Sequence, residues 1–381
     1  MHINDLRQRL RDLGALPLHE QRLLRLWTQA PPAGSRRRRL DDFLPQALRA
    51  AWPGIEAELA GLLRLQSQHP GADGSARLLL ALADGQTVES VLLPPAPTRS
   101  GGVSARGWGL CISSQVGCAV GCVFCMTGQG GLLRQLGSAE IVAQVVLARA
   151  NFPQRPIKKV VFMGMGEPAH NLEAVLEAIE LLGTGGAIGH KNLVFSTVGD
   201  ERVFERLAQS RVKPALALSL HTTKPALRQQ LLPRAPRFDP ADLVAAGEHY
   251  ARATGYPIQY QWTLIEGVND GDDEIDGIVQ LLHGKYALMN LIPYNTVDGM
   301  PWRRPSWERA ADMARALHRR GILTKLRHSA GQDVEAGCGQ LRARASAGLA
   351  QPIAFDLAPG RSAAHRQLQH QIPHGSGGRG R

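Results

Sequence analysis

Apolar positions along the chain change their period twice. Over the first 75 residues Leu6, Leu10 and Leu13, and later Leu59, Leu62 and Leu63, recur at helical spacing. The spacing predicts a small helical domain over 1–75. It is interrupted by Ala30-Pro31-Pro32-Ala33-Gly34-Ser35 and the run Arg36-Arg37-Arg38-Arg39, which reads as a solvated loop or a phosphate contact. Apolar runs at 76–82 and 88–93 flank Asp84-Gly85 and predict a β-hairpin. With the Pro-, Gly- and Ser-rich stretch 94–107, this makes 76–108 a hairpin and linker.

From 109 to about 328 short apolar runs alternate with amphipathic segments. Strands are predicted at 110–113, 159–163, 193–197, 215–220, 258–265, 288–293 and 323–327. Helices fill the gaps, among them 138–150, opened by Ser138 and Glu140, 171–182, capped by Asn171, and 305–320. Strict β/α alternation predicts a parallel sheet closed or partly closed as a barrel, with ligands at the C-terminal strand ends. The barrel and a C-terminal extension occupy 109–345, and 346–381, rich in Gly, Ser, His and Arg without periodicity, is expected to be disordered.

Composition narrows the class. A formal charge of +11 favours a polyanionic partner, and 5% aromatic residues are too few for a base-stacking sheet, so RNA contact should run through phosphates and shape. No run of about eighteen apolar residues exists and the N-terminus lacks a signal segment, so a cytoplasmic protein without membrane contact is expected. Five cysteines, odd in number and clustered, do not make a secreted disulfide framework.

Four of those cysteines fall within fifteen residues, and Cys118-Ala119-Val120-Gly121-Cys122-Val123-Phe124-Cys125 is a CxxxCxxC run. Three thiolates on one loop suit a soft metal centre with one coordination position left open. A zinc knot completed by Cys111 is the alternative, but zinc normally takes a second Cys pair at a distance, and none exists here. A second signal, Met163-Gly164-Met165-Gly166-Glu167-Pro168, ends a strand with two glycines that let a ligand approach and a carboxylate acceptor for an ammonium group. Ser196, Ser219-Leu220-His221 and Asn295 lie at later strand ends and together make a polar rim.

The CxxxCxxC spacing resembles that of the radical S-adenosylmethionine superfamily. Taken with Cys111-Ile112-Ser113-Ser114-Gln115-Val116-Gly117-Cys118, Leu218-Ser219-Leu220-His221, Asn290-Leu291-Ile292-Pro293-Tyr294-Asn295 and Ala336-Gly337-Cys338-Gly339-Gln340-Leu341, the chain from about 75 to 345 is similar to the RlmN/Cfr family of RNA adenosine methyltransferases. The resemblance implies an α/β fold, a partial (β/α)6 TIM-type barrel with a small helical N-terminal domain. It implies a [4Fe–4S] cluster on Cys118, Cys122 and Cys125, and S-adenosylmethionine contacts at Gly166, Glu167, Ser196, Ser219, Leu220, His221 and Asn295. It makes Cys338 the methyl carrier, Cys111 the resolving thiol and Glu89 the proton acceptor.

The implied activity is methylation of an adenosine ring carbon in RNA, by default C2 in 23S rRNA and also tRNA, with a flavodoxin- or ferredoxin-type electron donor and a monomeric enzyme. Two alternatives stay open: a paralogue acting at C8 or on another RNA, and a non-catalytic RNA-binding factor with a structural metal site. After the cysteines the chain reads Met126-Thr127-Gly128-Gln129-Gly130-Gly131-Leu132 and departs from the family's usual wording, which leaves the RNA itself open.

Overall fold

The computed structural model describes residues 1–30, 43–95, 107–297 and 299–343. The arginine run 36–39, most of the linker 94–107 and the tail 346–381 lie outside the described residues.

One ten-stranded sheet organises the chain. Strands β1 (Leu63–Pro70), β2 (Ala76–Leu82) and β3 (Thr87–Leu93) run antiparallel and lead to β4 (Trp108–Cys111). A two-stranded ribbon, β5 (Gln115–Gly117) with β6 (Leu132–Gln135), stands apart. The main sheet continues with β7 (Ile157–Phe162), β8 (Leu193–Thr197), β9 (Ala215–Ser219), β10 (Ile258–Leu264), β11 (Ala287–Pro293) and β12 (Thr324–Leu326), all parallel to β4. β1 and β12 are its two edges, so the barrel is open.

Helices α1 (Ile3–Asp12), α2 (Pro17–Gln29) and α3 (Gln46–Gly61) precede the sheet, and the short α4 (Met126–Gln129) follows the cysteines. Six crossovers then carry α5 (Ser138–Asn151), α6 (Leu172–Gly183), α7 (Glu201–Gln209), α8 (Pro225–Leu231) with α9 (Pro240–Thr254), α10 (Asp272–Leu282) and α11 (Trp307–Arg319). This is a partial (β/α)6 barrel.

The pleat sorts side chains between two environments. Leu110, Val160, Phe162, Phe195, Leu216, Leu218, Tyr260, Trp262 and Leu291 join the buried core shared with the helices. The inner face is sparer: Val161, Val194, Ala215 and Ala217 pack with the half-buried Cys111 and Met163. Register joins Cys111 to Val161, Val161 to Val194 and Val194 to Ala215, so one inner layer runs through the cysteine. Small residues there leave room that a second layer of helices would otherwise have filled.

The N-terminal helices pack on the barrel and share its core, through Ile3, Leu6 and Leu10 among others. Ile3 N–H donates to Ser138 Oγ at 2.7 Å, and Arg149 Nη1 donates to the Thr28 carbonyl at 2.7 Å.

Three local expectations are corrected. Residues 63–70, read within the helical segment, form strand β1, because Leu62 and Leu63 straddle the end of α3 rather than continue it. Asn171 stands at the N-cap position of α6 as expected, but its side chain does not bond the helix; its Nδ2 donates to the carbonyls of Ser114 (2.8 Å) and Leu136 (2.7 Å) and ties two loops together. The opening of α5 is closed by Glu140, whose Oε2 accepts from Gly137 N–H at 2.7 Å, while Ser138 bonds outward to α1 and to Glu177.

Candidate active site

Cys118, Cys122 and Cys125 lie on the loop between β5 and α4. Its path depends on glycine. Gly117 has φ +80, and a Cβ there would sit 1.9 Å from the Gly131 carbonyl oxygen, which instead accepts from Cys118 N–H at 2.8 Å. Gly128 is pressed against the Cys122 nitrogen, where a Cβ would come within 2.9 Å. Residues distant in sequence clamp the loop from outside: Trp302 Nε1 donates to the Val123 carbonyl at 2.8 Å, and Val123 N–H donates to the Leu231 carbonyl at 3.1 Å.

The Gly164-Met165-Gly166-Glu167 loop faces this one. Its glycines also let neighbouring segments approach closely. A Cβ on Gly164 would lie 2.7 Å from the Ile112 oxygen, and one on Gly166 (φ +105) 2.7 Å from the Gln115 side chain. This loop is stitched to the segment that leads into the cysteine loop by Gly164 N–H to Ile112 O (3.0 Å), Ser114 N–H to Met165 O (2.8 Å) and Glu167 N–H to Gln115 Oε1 (2.7 Å). Glu167 is buried, accepts from the N–H groups of Ala169 and Val198, and burial pushes its pKa up to about 7. A bound ammonium group would reverse that shift.

The later strand ends close the far wall. Ser196 is half-buried on the inner face, in register with Ala217, and Ser219 follows two residues on. Leu220 N–H donates to the Gln261 carbonyl at 3.1 Å, and the chain then turns through His221 at φ +63, a conformation rare outside glycine. Asn269, which the sequence reading passed over, holds that turn: its buried Nδ2 donates to the carbonyls of His221 (2.7 Å) and Thr263 (2.8 Å). His221 Nδ1 accepts from Thr263 N–H at 3.0 Å, and its ring meets Phe124 of the cysteine loop edge-on at 4.9 Å. Burial, with the nearby Arg228 cation, pushes the imidazole down to about 3, so it is neutral at physiological pH.

The strap 336–343 crosses the mouth and carries Cys338. Met126 N–H donates to the Gly339 carbonyl at 2.8 Å, and Thr127 Oγ1 to the Leu341 carbonyl at 2.6 Å. Asn295 Nδ2 donates to the Cys338 carbonyl at 3.0 Å and lies so close to Gly337 that a Cβ would approach it to 2.7 Å. Cys338 is exposed, but in a recess: burial in the surrounding protein raises its pKa, and Arg327 works the other way. Burial also raises the pKa of Cys111, and so does the charge of Cys338, so the two free thiols sense one another.

Glu89 stands in the same assembly. It lies two residues before Val91, the register partner of Cys111, and is fully buried rather than exposed on its hairpin. Arg77 Nη1 donates to Oε1, while the N–H groups of Arg342 (2.8 Å) and Ala343 (3.1 Å) donate to Oε2. Gln144, also unnoticed in the sequence, bridges Ser90 Oγ (2.8 Å) and both backbone groups of Ser113, fixing β3 against the segment after Cys111.

The residues fit an iron–sulfur cluster better than a zinc ion. Zinc–thiolate bonds of about 2.3 Å draw their ligands to one point, and no three His, Cys, Asp or Glu side chains among the described residues converge so. Yet the charges of Cys125 and Cys118 both raise the pKa of Cys122, so the three thiols line one pocket, as a larger centre requires. The buried hydroxyl of Ser114 has no partner, and Tyr294 is near enough to sense Cys125. The Ser114 donor awaits a polar occupant.

Comparison with known proteins agrees with this geometry. Residues 112–282 match the model of the radical SAM superfamily. The chain is 73% identical over 348 residues to a "probable RNA methyltransferase" of Methylibium petroleiphilum, covering 91% of this chain and 94% of that protein. It is 64% identical over 353 residues to a protein of the same description from Pseudomonas aeruginosa, covering 92% of this chain and 98% of that one. The crystal structure of a radical SAM methyltransferase from Sphaerobacter thermophilus superposes with a TM-score of 0.75 at 34% identity, covering 90% of this chain and 98% of that chain. A cysteine loop at the mouth of an open six-unit barrel and relatives this near leave one conclusion: the chain belongs to the radical SAM superfamily and, within it, to the family of these methyltransferases.

Proposed function

We propose that the protein methylates a ring carbon of adenosine in RNA, with C2 of an adenosine in 23S rRNA as the primary target and tRNA as a further one. The observation that carries this reading is the strap: one short segment bonds the cysteine loop through Gly339, presents Cys338, and donates two N–H groups to Glu89. A structural metal knot has no use for that convergence.

When bound, a [4Fe–4S] cluster on Cys118, Cys122 and Cys125 and S-adenosylmethionine supply the 5′-deoxyadenosyl radical and the methyl group. The protein's side chains do the rest. Glu167, with Gly166, receives the cofactor's ammonium group, and Ser196, Ser219, Leu220, neutral His221 and Asn295 line its remaining length. Cys338 carries the methyl group to adenine, a nucleophilic role aided by the Arg327 cation. Glu89 takes the ring proton once the Arg342 and Ala343 N–H groups withdraw from Oε2. Cys111 attacks the Cys338 sulfur, releases the product and leaves a Cys111–Cys338 disulfide, so an external two-electron reductant must reopen the pair. We assign the reaction to a monomer in the cytoplasm, served by a flavodoxin- or ferredoxin-type donor.

Mass spectrometry of RNA nucleosides from cells with and without the protein tests this directly. Loss of 2-methyladenosine supports the reading, loss of 8-methyladenosine moves it to the other ring carbon, and an unchanged nucleoside profile rejects it. With purified protein, Cys111→Ala should accumulate a covalent protein–RNA adduct.

A further inference from the structure

The inner face of the barrel carries a cluster of cations, of which only Arg327 has so far been given a part in the reaction. Lys159 lies two residues before Val161 on β7, on the same inward-facing side of the pleat. Lys325 on β12 is the register partner of Asn290 on β11, and Asn290 alternates with Met289 and Leu291 of the helix-side core. Arg327 continues from β12, and its Nη1 lies 3.5 Å from Asn290 Oδ1. These side chains therefore face one another between β7 and the edge strand at the open side of the barrel, where Lys325 and Arg327 are exposed and Lys159 is half-buried.

Their chemistry is one-sided. None of the ion pairs among the described residues includes Lys159, Lys325 or Arg327. Lys159 is half-buried, and its ammonium pKa is lowered by burial first and then by the charges of Arg327 and Lys325, so the three repel one another. Asn290 is 1% exposed, and its Nδ2 is buried without a partner. Such repulsion and an orphaned donor both cost stability. A ligand with several anionic oxygens would relieve both. Arg327 is also near enough to Cys338 to lower its pKa, so whatever fills this place borders the methyl-carrying thiol.

We propose that Lys159, Lys325, Arg327 and the Asn290 amide form a phosphate subsite that grips the RNA backbone beside the nucleotide presented to Cys338. The assignment rests on the reading of the protein as an RNA-modifying enzyme and says where the strand is held. The other source of anionic oxygen is the carboxylate of S-adenosylmethionine, and experiment separates the two.

The test uses the full-length, cluster-loaded protein and protein-free ribosomal RNA, with affinity measured by anisotropy across a salt series without cofactor, and cofactor affinity measured without RNA. Lys159→Gln/Lys325→Gln/Arg327→Gln should weaken RNA binding about 10- to 100-fold at low salt and reduce the salt slope by about 1. Its melting temperature should equal or exceed that of the parent, because mutual repulsion is gone. Lys325→Gln alone, on the exposed edge strand, should show a smaller effect of the same kind without risk to folding. Unchanged RNA affinity and slope in the triple variant would overturn the subsite, as would a loss confined to cofactor binding. A parent protein that binds no RNA would instead reject the functional reading on which the subsite rests.

Discussion

The two halves of the site are held together by different means. The segment 112–115, which leads into the cysteine loop, is joined to the Gly164–Glu167 loop largely backbone to backbone, with glycines at Gly117, Gly164 and Gly166 where a Cβ would strike main chain or a packed side chain. The strap that brings Cys338 crosses from the far end of the chain and is held by hydrogen bonds from Met126, Thr127 and Asn295, by its own bonds to Glu89, and by buried Ala336, Leu341 and Ala343. The first half is fixed largely by main chain packed against glycine, the second by side chains and single hydrogen bonds. On the proposed reaction a radical generator gains from rigidity, whereas a carrier that would meet a cofactor, a base and a resolving thiol in turn gains from freedom to move.

The comparison can be broken most sharply at the cysteines. Cys122→Ala should abolish both the brown absorption of the reconstituted protein and all methyl transfer. Cys338→Ala should keep the colour and lose only the methylated nucleoside, read by absorption and mass spectrometry side by side. Equal loss of colour in both would erase the division between the halves.

Glycine substitution gives the next largest difference. Gly117→Ala adds a Cβ 1.9 Å from a backbone oxygen at positive φ and should cost about 3 kcal/mol in urea unfolding. Gly337→Ala meets side chains rather than backbone, Asn295 Nδ2 at 2.7 Å and Gln340 Oε1 at 2.8 Å, and should cost about 1 kcal/mol.

Acidity probes the rigid half. Burial raises Glu167 from an ordinary 4.5 to about 7, so between those values the unfolded chain is ionised while the folded one keeps the proton. Apo-protein stability from this group is therefore present below about pH 4.5 and lost as pH rises toward 7. His221, depressed to about 3 from 6.5, acts oppositely: its contribution is present above 6.5 and is lost as pH falls. Urea titrations of Glu167→Gln against the parent across this range should isolate the first term, with the difference growing toward neutrality. A flat difference would show that Glu167 is not desolvated in the empty site.

The smallest effect concerns the strap alone. Thr127→Val removes the bond to the Leu341 carbonyl and should cost about 1 kcal/mol. Hydrogen exchange of the amides in 336–343 should accelerate while those of the cysteine loop do not.

The barrel was readable in the sequence because its strands carry apolar residues on the helix-covered face, as Val160 and Phe162 do on β7. β1 was not, since below Leu65 its sheltered positions are Ser67 and His69, which give no hydrophobic period. The cysteines and Glu167 were legible because their chemistry is rare and their spacing local. Gln144 and Asn269 were not, because each ties in a backbone group far along the chain, Ser113 at 31 residues and His221 at 48. Nothing in a polar residue's neighbours announces such a partner. The same holds for Lys159 and Lys325, which only the fold brings together.

The hydrogen bonds from Arg342 and Ala343 to Glu89 carry a consequence for timing. While the strap rests in place, the carboxylate is muffled, with both oxygens engaged. On the proposed reaction, the displacement that frees it would also move Cys338, on the same strap as Arg342, so that proton removal and sulfur exchange would be geared to one movement.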